Sequence, residues 1–366
     1  LGTNLIERSE TELMSQTTGK DYMLSALRRK PMDRVPTTVL IGPYCSRLTR
    51  YSVKEILTDA RKSTAAHLAF HDRFKPDSLV IYNDIYLEAE AVGCELEFPA
   101  DRISHPKGIL LEDKAQLARL RVPDPGRDGR IPYFIEVCQR VSDQVRQTTA
   151  LGLGHSGPWN IAMHLRGAEA LLMDTATDPG FVHELMKFTT EVVREVGDAL
   201  IKAGFSPSLG EAAASCSLIS PRIYQEFIKP YHKELCNYFR SKKRFMSLHI
   251  CGKIDPIMED ILETGIYLLS LDSGSSLQKL TQLADGKLVI MGNVPTTHFS
   301  SGTRRDMETA IRECIETAAA QSGFILASGC EIPFDSTEDR IEHFFEYSRQ
   351  YGKEFMNVSR SRVHGS

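Results

Sequence analysis

Apolar residues in this chain gather in short continuous runs instead of alternating with polar ones. Eight runs rich in β-forming residues recur, each ending near Gly, Pro, Asp or His: 34–44 (RVPTTVLIGPY), 77–85, 150–159, 206–214, 245–252 (FMSLHICG), 266–274, 287–294 and 323–332 (GFILASGCEI). Continuous apolarity of this length suits parallel strands buried on both faces. Helical patterns lie between them at 52–74, 178–204, 220–240, 303–323 and 336–352. Several open on a capping residue followed by proline, as in Asp178-Pro179 and Ser220-Pro221, and close on glycine. Eight strands alternating with helices predict an α/β fold, a (β/α)8 TIM barrel. A doubly wound open sheet is the rival, and the absence of a Gly-rich dinucleotide turn after the first run counts against it. The expected organisation is an N-terminal extension (1–20) and a single barrel domain (21–358). An excursion around 86–132 and a disordered tail (359–366) complete it.

Composition narrows the function classes. The chain has 366 residues, 42% of them hydrophobic, which is ample for one large core. A net charge of -4 gives no bulk basic character, so nucleic acid is not the expected partner. No run approaches the roughly 20 apolar residues of a membrane helix. The first residues, LGTNLIERSETELMSQTTGK, lack the apolar core of a signal peptide. The eight cysteines therefore read as reduced thiols, and a cytoplasmic location is expected.

In a barrel, chemistry sits where strands end and turn into loops. The polar residues at those ends are Tyr44, Asn83, Asp84, His155, Trp159, Glu211, His249, Cys251, Asp272, Asn293, Cys330 and Glu331. Residues i and i+2 of a strand share a face, so His249 and Cys251 can address one ion, and Cys330 can reach it from the eighth strand. A His/Cys/Cys set suits catalytic zinc with an open fourth position. The same residues also allow a Cys251 nucleophile with His249 as its base, or a purely structural role.

LSALRRKPMDRVP (24–36), DIYLEAEAVGCELEFP (84–99), LISPRIYQEFIKPYHKEL (218–235), MGNVPTT (291–297) and ILASGCEIPFDSTEDRI (325–341) together resemble the uroporphyrinogen decarboxylase superfamily. Within it, His249-x-Cys251 and Cys330 resemble the zinc motif of its corrinoid-dependent methyltransferases, those of the methylcobamide:coenzyme M and O-demethylase types. The resemblance implies a uroporphyrinogen decarboxylase-like barrel that binds Zn2+ through His249, Cys251 and Cys330. Asp272 is the expected fourth ligand, with Glu211 as alternative. Tyr44, Tyr82, Asn83, Asp84, His155, Trp159, Asn293 and Glu331 are expected around a substrate pocket.

No D-x-H-x-x-G corrinoid signature occurs, so the corrinoid (methylcobalamin) is expected on a separate protein docked at the barrel mouth. The expected reaction moves a methyl group between a small substrate and cobalt. A methyl ether donor is favoured, because no basic cluster for a sulfonate thiol is visible. A methylcobamide:thiol methyltransferase, a uroporphyrinogen decarboxylase and a non-enzymatic barrel with structural zinc are the alternatives. Against the decarboxylase, the loop after the first strand, GPYCSRLTRYS, holds Arg47 and Arg50 but not that family's arginine-bearing motif, although Asp84 falls where decarboxylases carry a pyrrole-binding aspartate.

Overall fold

The computed structural model of the chain describes residues 17–321 and 323–364. Its strands are β1 (Ser78–Ile81), β2 (Leu96–Glu97), β3 (His105–Pro106), β4 (Ala150–Leu153), β5 (His155–Ser156), β6 (Ser208–Gly210), β7 (Ser247–Ile250), β8 (Leu268–Leu271), β9 (Val289–Val294) and β10 (Phe324–Ser328). β1 pairs with β4, and the order β10-β9-β8-β7-β6-β5 is parallel throughout. β4 and β5 are two halves of one barrel strand, broken at Gly154.

The first apolar run forms no regular strand. It closes the barrel through isolated bridges, Thr37 to Leu326 and Leu40 to Glu331. Pro36 lacks an N–H and Pro43 stops the run, which shortens any ladder. Side chains take over part of it. The Asp77 carboxylate accepts from Thr37 N at 2.8 Å, Ser328 Oγ from Leu40 N at 3.0 Å, and Thr38 Oγ1 donates to Ser78 O at 2.7 Å. A 3-10 turn (Gly42–Leu48) follows.

Strand alternation divides the interior in two. Leu209, Leu248, Ile250, Leu269 and Leu271 face the surrounding helices and are buried. Their neighbours Ser208, Gly210, Ser247 and His249 face the lumen and stay partly accessible to solvent. The N-terminal end of the lumen is closed by the helix Gly19–Leu27, which opens on a Thr18/Asp21 capping box. Its Met23 and Ala26 pack with Val289 and Ile325 in a core separate from the helix layer.

Residues 87–92 form a helix, β2 and β3 a short antiparallel pair, and 114–119 a 3-10 turn, so the excursion carries little regular structure. The last helix runs from Glu338 to His364 and continues through 359–364, where the sequence suggested disorder. No glycine or proline falls between Gly352 and Gly365. Most of the expected N-terminal extension, residues 1–16, lies outside the described residues, as do 365–366.

Candidate metal centre

His249 and Cys251 sit at the C-terminal end of β7, and Cys330 lies two residues beyond β10. Two tight turns bring them together. Gly252 adopts φ +66, where an added Cβ would press on Ser215 Oγ and Ser217 Oγ at 2.8 Å. Gly329 lies so close to the neighbouring loop that a Cβ would come within 2.7 Å of Ser273 N. With these turns, Cys251 Sγ stands 3.4 Å from His249 Nε2 and 3.5 Å from Cys330 Sγ. All three ligand atoms fall within 4.8 Å of one another.

The set fits zinc. Bond lengths of about 2.3 Å to sulfur and 2.0 Å to nitrogen in a tetrahedron put donors roughly 3.5–3.8 Å apart, close to the spacing here. His249 Nδ1 is 2.9 Å from Ser270 Oγ on the adjacent strand, which fixes the ring and leaves Nε2 for the cluster. A hydrogen bond from the Cys251 thiol pulls the Cys330 thiol below its ordinary value, with His249 adding to the effect. The resulting Cys330 thiolate in turn holds Cys251 in its protonated form. Burial opposes protonation of His249, yet Cys330 draws it upward. The three groups share their protons, and a thiolate is favoured at one of the two sulfurs.

The other predicted residues separate into several groups. Glu331 lies beside the cluster, surrounded by protein yet with much of its surface open to solvent, as befits a side chain in a cleft. Burial, then the Cys330 charge, pushes its carboxyl up to about 7. Asp272 is at the mouth, but its oxygens accept from Gly252 N at 2.7 Å, from Ser273 Oγ and from Gly274 N, so it clamps the Cys251 turn. It does not join the three-atom group. Tyr82 is buried and its hydroxyl has no partner among the described residues, and the same holds for Asn83 Nδ2.

Six candidates turn away from the mouth or are tied up structurally. Glu211 is fully buried and faces the helix layer, because Gly210 beside it takes the lumen position. Its carboxylate accepts from Trp159 N and Asn160 N at 3.1 and 2.9 Å, capping the helix Pro158–Arg166, and meets His232 Nε2 at 3.1 Å. His155, one strand over, likewise faces outward, with Nδ1 3.5 Å from Glu88 Oε1 and no hydrogen bond between them. Trp159 is fully buried in the first turn of that helix. Tyr44 packs edge-on against Phe70. Asn293 ties the 272–275 loop to Cys314 on a barrel helix. Asp84 is held by Arg130 at 3.0 Å and by Ser104 Oγ and Tyr86 N, a knot that fastens the excursion to the barrel. Strand ends supplied these candidates, but only parity within each strand sorts inward from outward.

Ser270, Arg130, His232 and Glu88 carry roles that sequence reasoning missed. Ser270 had a signal available: in the β7–β8 register it is the partner of His249. The others come from helices or from the excursion, whose pairing with strand ends no local pattern announces.

A closed parallel barrel with an imidazole and two thiols converging at its C-terminal mouth defines the class of protein: an α/β barrel with a soft-ligand cluster at the position where such folds do chemistry. The chain belongs to the uroporphyrinogen decarboxylase (URO-D) family, which matches residues 18–351. It is similar to the methylcobamide:CoM methyltransferase MtbA of Methanosarcina acetivorans, at 22% identity across 92% of this chain and 99% of that protein. It is also similar to the uroporphyrinogen decarboxylase of Trichodesmium erythraeum, at 22% identity across 92% and 98%. Among solved structures, a methyltransferase from Methanosarcina mazei superposes with a TM-score of 0.83 at 22% identity, covering 92% of this chain and 99% of that one, which establishes the barrel.

Proposed function

We propose that the protein is a zinc-dependent methyltransferase that moves a methyl group between a small substrate and the cobalt of a corrinoid carried by a separate protein. One observation carries the reading: His249 Nε2, Cys251 Sγ and Cys330 Sγ converge at the barrel mouth at spacings suited to a tetrahedral ion. Decarboxylation of a porphyrinogen has no use for such a set. The aspartate that chemistry would require, Asp84, is already engaged by Arg130 and Ser104.

Zinc bound there supplies a Lewis acid that holds the substrate heteroatom and lowers the pKa of a thiol. The chain's own residues do the rest. Ser270 orients the imidazole, and the Gly252 and Gly329 turns fix the two sulfurs from opposite sides. Asp272 locks the Cys251 turn through Gly252 N. Glu331, whose carboxylate has no hydrogen bond among the described residues, stands beside the cluster and takes the proton that a thiol substrate gives up. Two thiolate donors soften the centre and favour a sulfur ligand over an ether oxygen. That choice turns the substrate expectation from a methyl ether donor towards a thiol acceptor or a methyl thioether donor. The corrinoid partner docks over the mouth, where the lumen opens.

Elemental analysis tests the reading directly. About one zinc per chain is expected, lost in Cys251→Ala and in Cys330→Ala with the fold retained. A well-folded wild-type protein that takes up no zinc after reconstitution contradicts it, and a barrel that unfolds when zinc is stripped supports a structural ion instead.

A further inference from the structure

We infer that the barrel lumen directly beneath His249 is the substrate pocket, and that it takes a small uncharged thiol or thioether in preference to an anionic one. The inference rests on the metal reading above and goes further, to the substrate class.

The pocket is built by strand parity. Gly210 of β6 and His249 of β7 are register partners, and so are Ser208 and Ser247 one step below them. All four face the lumen and remain partly accessible although they lie in the middle of the sheet. TIM-barrel interiors are usually filled by bulky branched side chains in layers. Here the positions next to and below the ligand imidazole are Gly, Ser and Ser. A Cβ placed on Gly210 would meet only His155 O, at 3.9 Å, so the space in front of this glycine is open. Further down, the N-terminal plug closes the barrel, where Met23 packs with Val289 and Ile325, and Leu268 and Met291 pack against them. A ligand bound through its heteroatom at the cluster therefore has room for a short tail among serine hydroxyls and aliphatic carbons.

The charges that act most strongly on the ligands are negative. Apart from the cluster itself, the charged side chains that bear most on His249 and Cys251 are Asp272 and Glu331, both carboxylates. A zinc ion with two thiolates is neutral and does not offset them. Two of the nearby cations are committed elsewhere. Arg130 is held by Asp84 and Glu90, and Arg47 donates to Phe334 O and Ser336 O. Lys253 is exposed, and its charge is felt at Cys216. No lumen-facing position of β6, β7 or β8 carries a basic group able to pair with a sulfonate or carboxylate. An anion entering here would lose its hydration without a partner, a loss that an uncharged tail avoids.

The test uses the full chain reconstituted with Co2+ in place of zinc, so that thiol binding is read from the sulfur-to-cobalt charge-transfer absorption. Titrations compare 2-mercaptoethanol with 2-mercaptoethanesulfonate, two thiols of similar size that differ in charge. The expected result is at least tenfold tighter binding of 2-mercaptoethanol, with the gap narrowing as salt is raised. Gly210→Leu, which fills the lumen beside His249, is expected to weaken 2-mercaptoethanol at least tenfold while one cobalt per chain is retained. Ser247→Val is the second variant, from the adjacent strand, and should act in the same direction if Gly210→Leu does not fold. Equal or tighter binding of the sulfonate, or unchanged affinity in lumen-filled variants that hold cobalt, overturns the inference and leaves the metal reading standing. A protein that binds no cobalt or zinc overturns both.

Discussion

Replacing Glu211 distinguishes a structural carboxylate from a metal ligand at the end of the fourth barrel strand. Its two oxygens satisfy Trp159 N and Asn160 N at the start of the helix Pro158–Arg166, a helix whose own N-cap, Gly157, has no side chain to offer. The fit is close: a Cβ on Gly157 would lie 2.3 Å from Glu211 Cδ. His232 Nε2 completes the arrangement, with both side chains fully buried. In Glu211→Ala, two buried N–H groups lose their acceptor, at about 1–3 kcal/mol each. Removing one partner of a buried pair costs about 3–5 kcal/mol in comparable cases. These contributions overlap, so a loss of about 3–5 kcal/mol is expected, and about 1–3 kcal/mol for Glu211→Gln, which keeps one acceptor. Urea denaturation followed by circular dichroism gives the stability, and metal analysis of the folded fraction gives the zinc content, which should not change. Stability within 1 kcal/mol of the parent, or zinc lost from a folded variant, would refute the capping argument.

Ser270→Ala removes the partner of His249 Nδ1 and is expected to weaken zinc binding about 10- to 100-fold in competition with a chelator, with little effect on the fold; unchanged affinity would mean that Ser270 does not orient the ring. His67 predicts a pH dependence: its Nδ1–H donates to Ser63 O, its Nε2 accepts from Tyr82 N, and burial depresses it from 6.5 to about 4. The unfolded chain therefore takes up the proton first as pH falls. Stability is complete above about pH 6.5 and declines by about 3 kcal/mol by pH 4, a slope that should disappear from the His67→Gln profile and whose persistence would contradict the assignment.

The barrel could be read from the sequence because all eight of its strand positions are continuous apolar runs, and burial on both faces leaves that trace whatever the loops do. Only the run 34–44 forms no regular strand, because two prolines and side-chain hydrogen bonds interrupt its ladder. The cluster was legible for a related reason. A strand's period of two places His249 and Cys251 on one face, so spacing alone joined them, and the family resemblance brought in Cys330. What failed to show was direction and partnership. Glu211 and His155 end strands as His249 does, but their parity is opposite, and a one-residue difference sends them to the helix layer. Asp84 looked free because Arg130, 46 residues further on, is brought to it only by the folded excursion. Disorder was expected of 359–364 from their polar composition, yet a helix already 21 residues long continues through them.

Absorption spectroscopy of the corrinoid tests the central claim most directly. The zinc-loaded protein is mixed with methylcob(III)alamin and an uncharged thiol, and the conversion of methyl-Co(III) to Co(I) is followed beside formation of the methylated thiol. The account predicts demethylation that requires zinc and is abolished in Cys330→Ala. An unchanged methyl-Co(III) spectrum with every thiol offered, together with metal-independent decarboxylation of uroporphyrinogen, would contradict it.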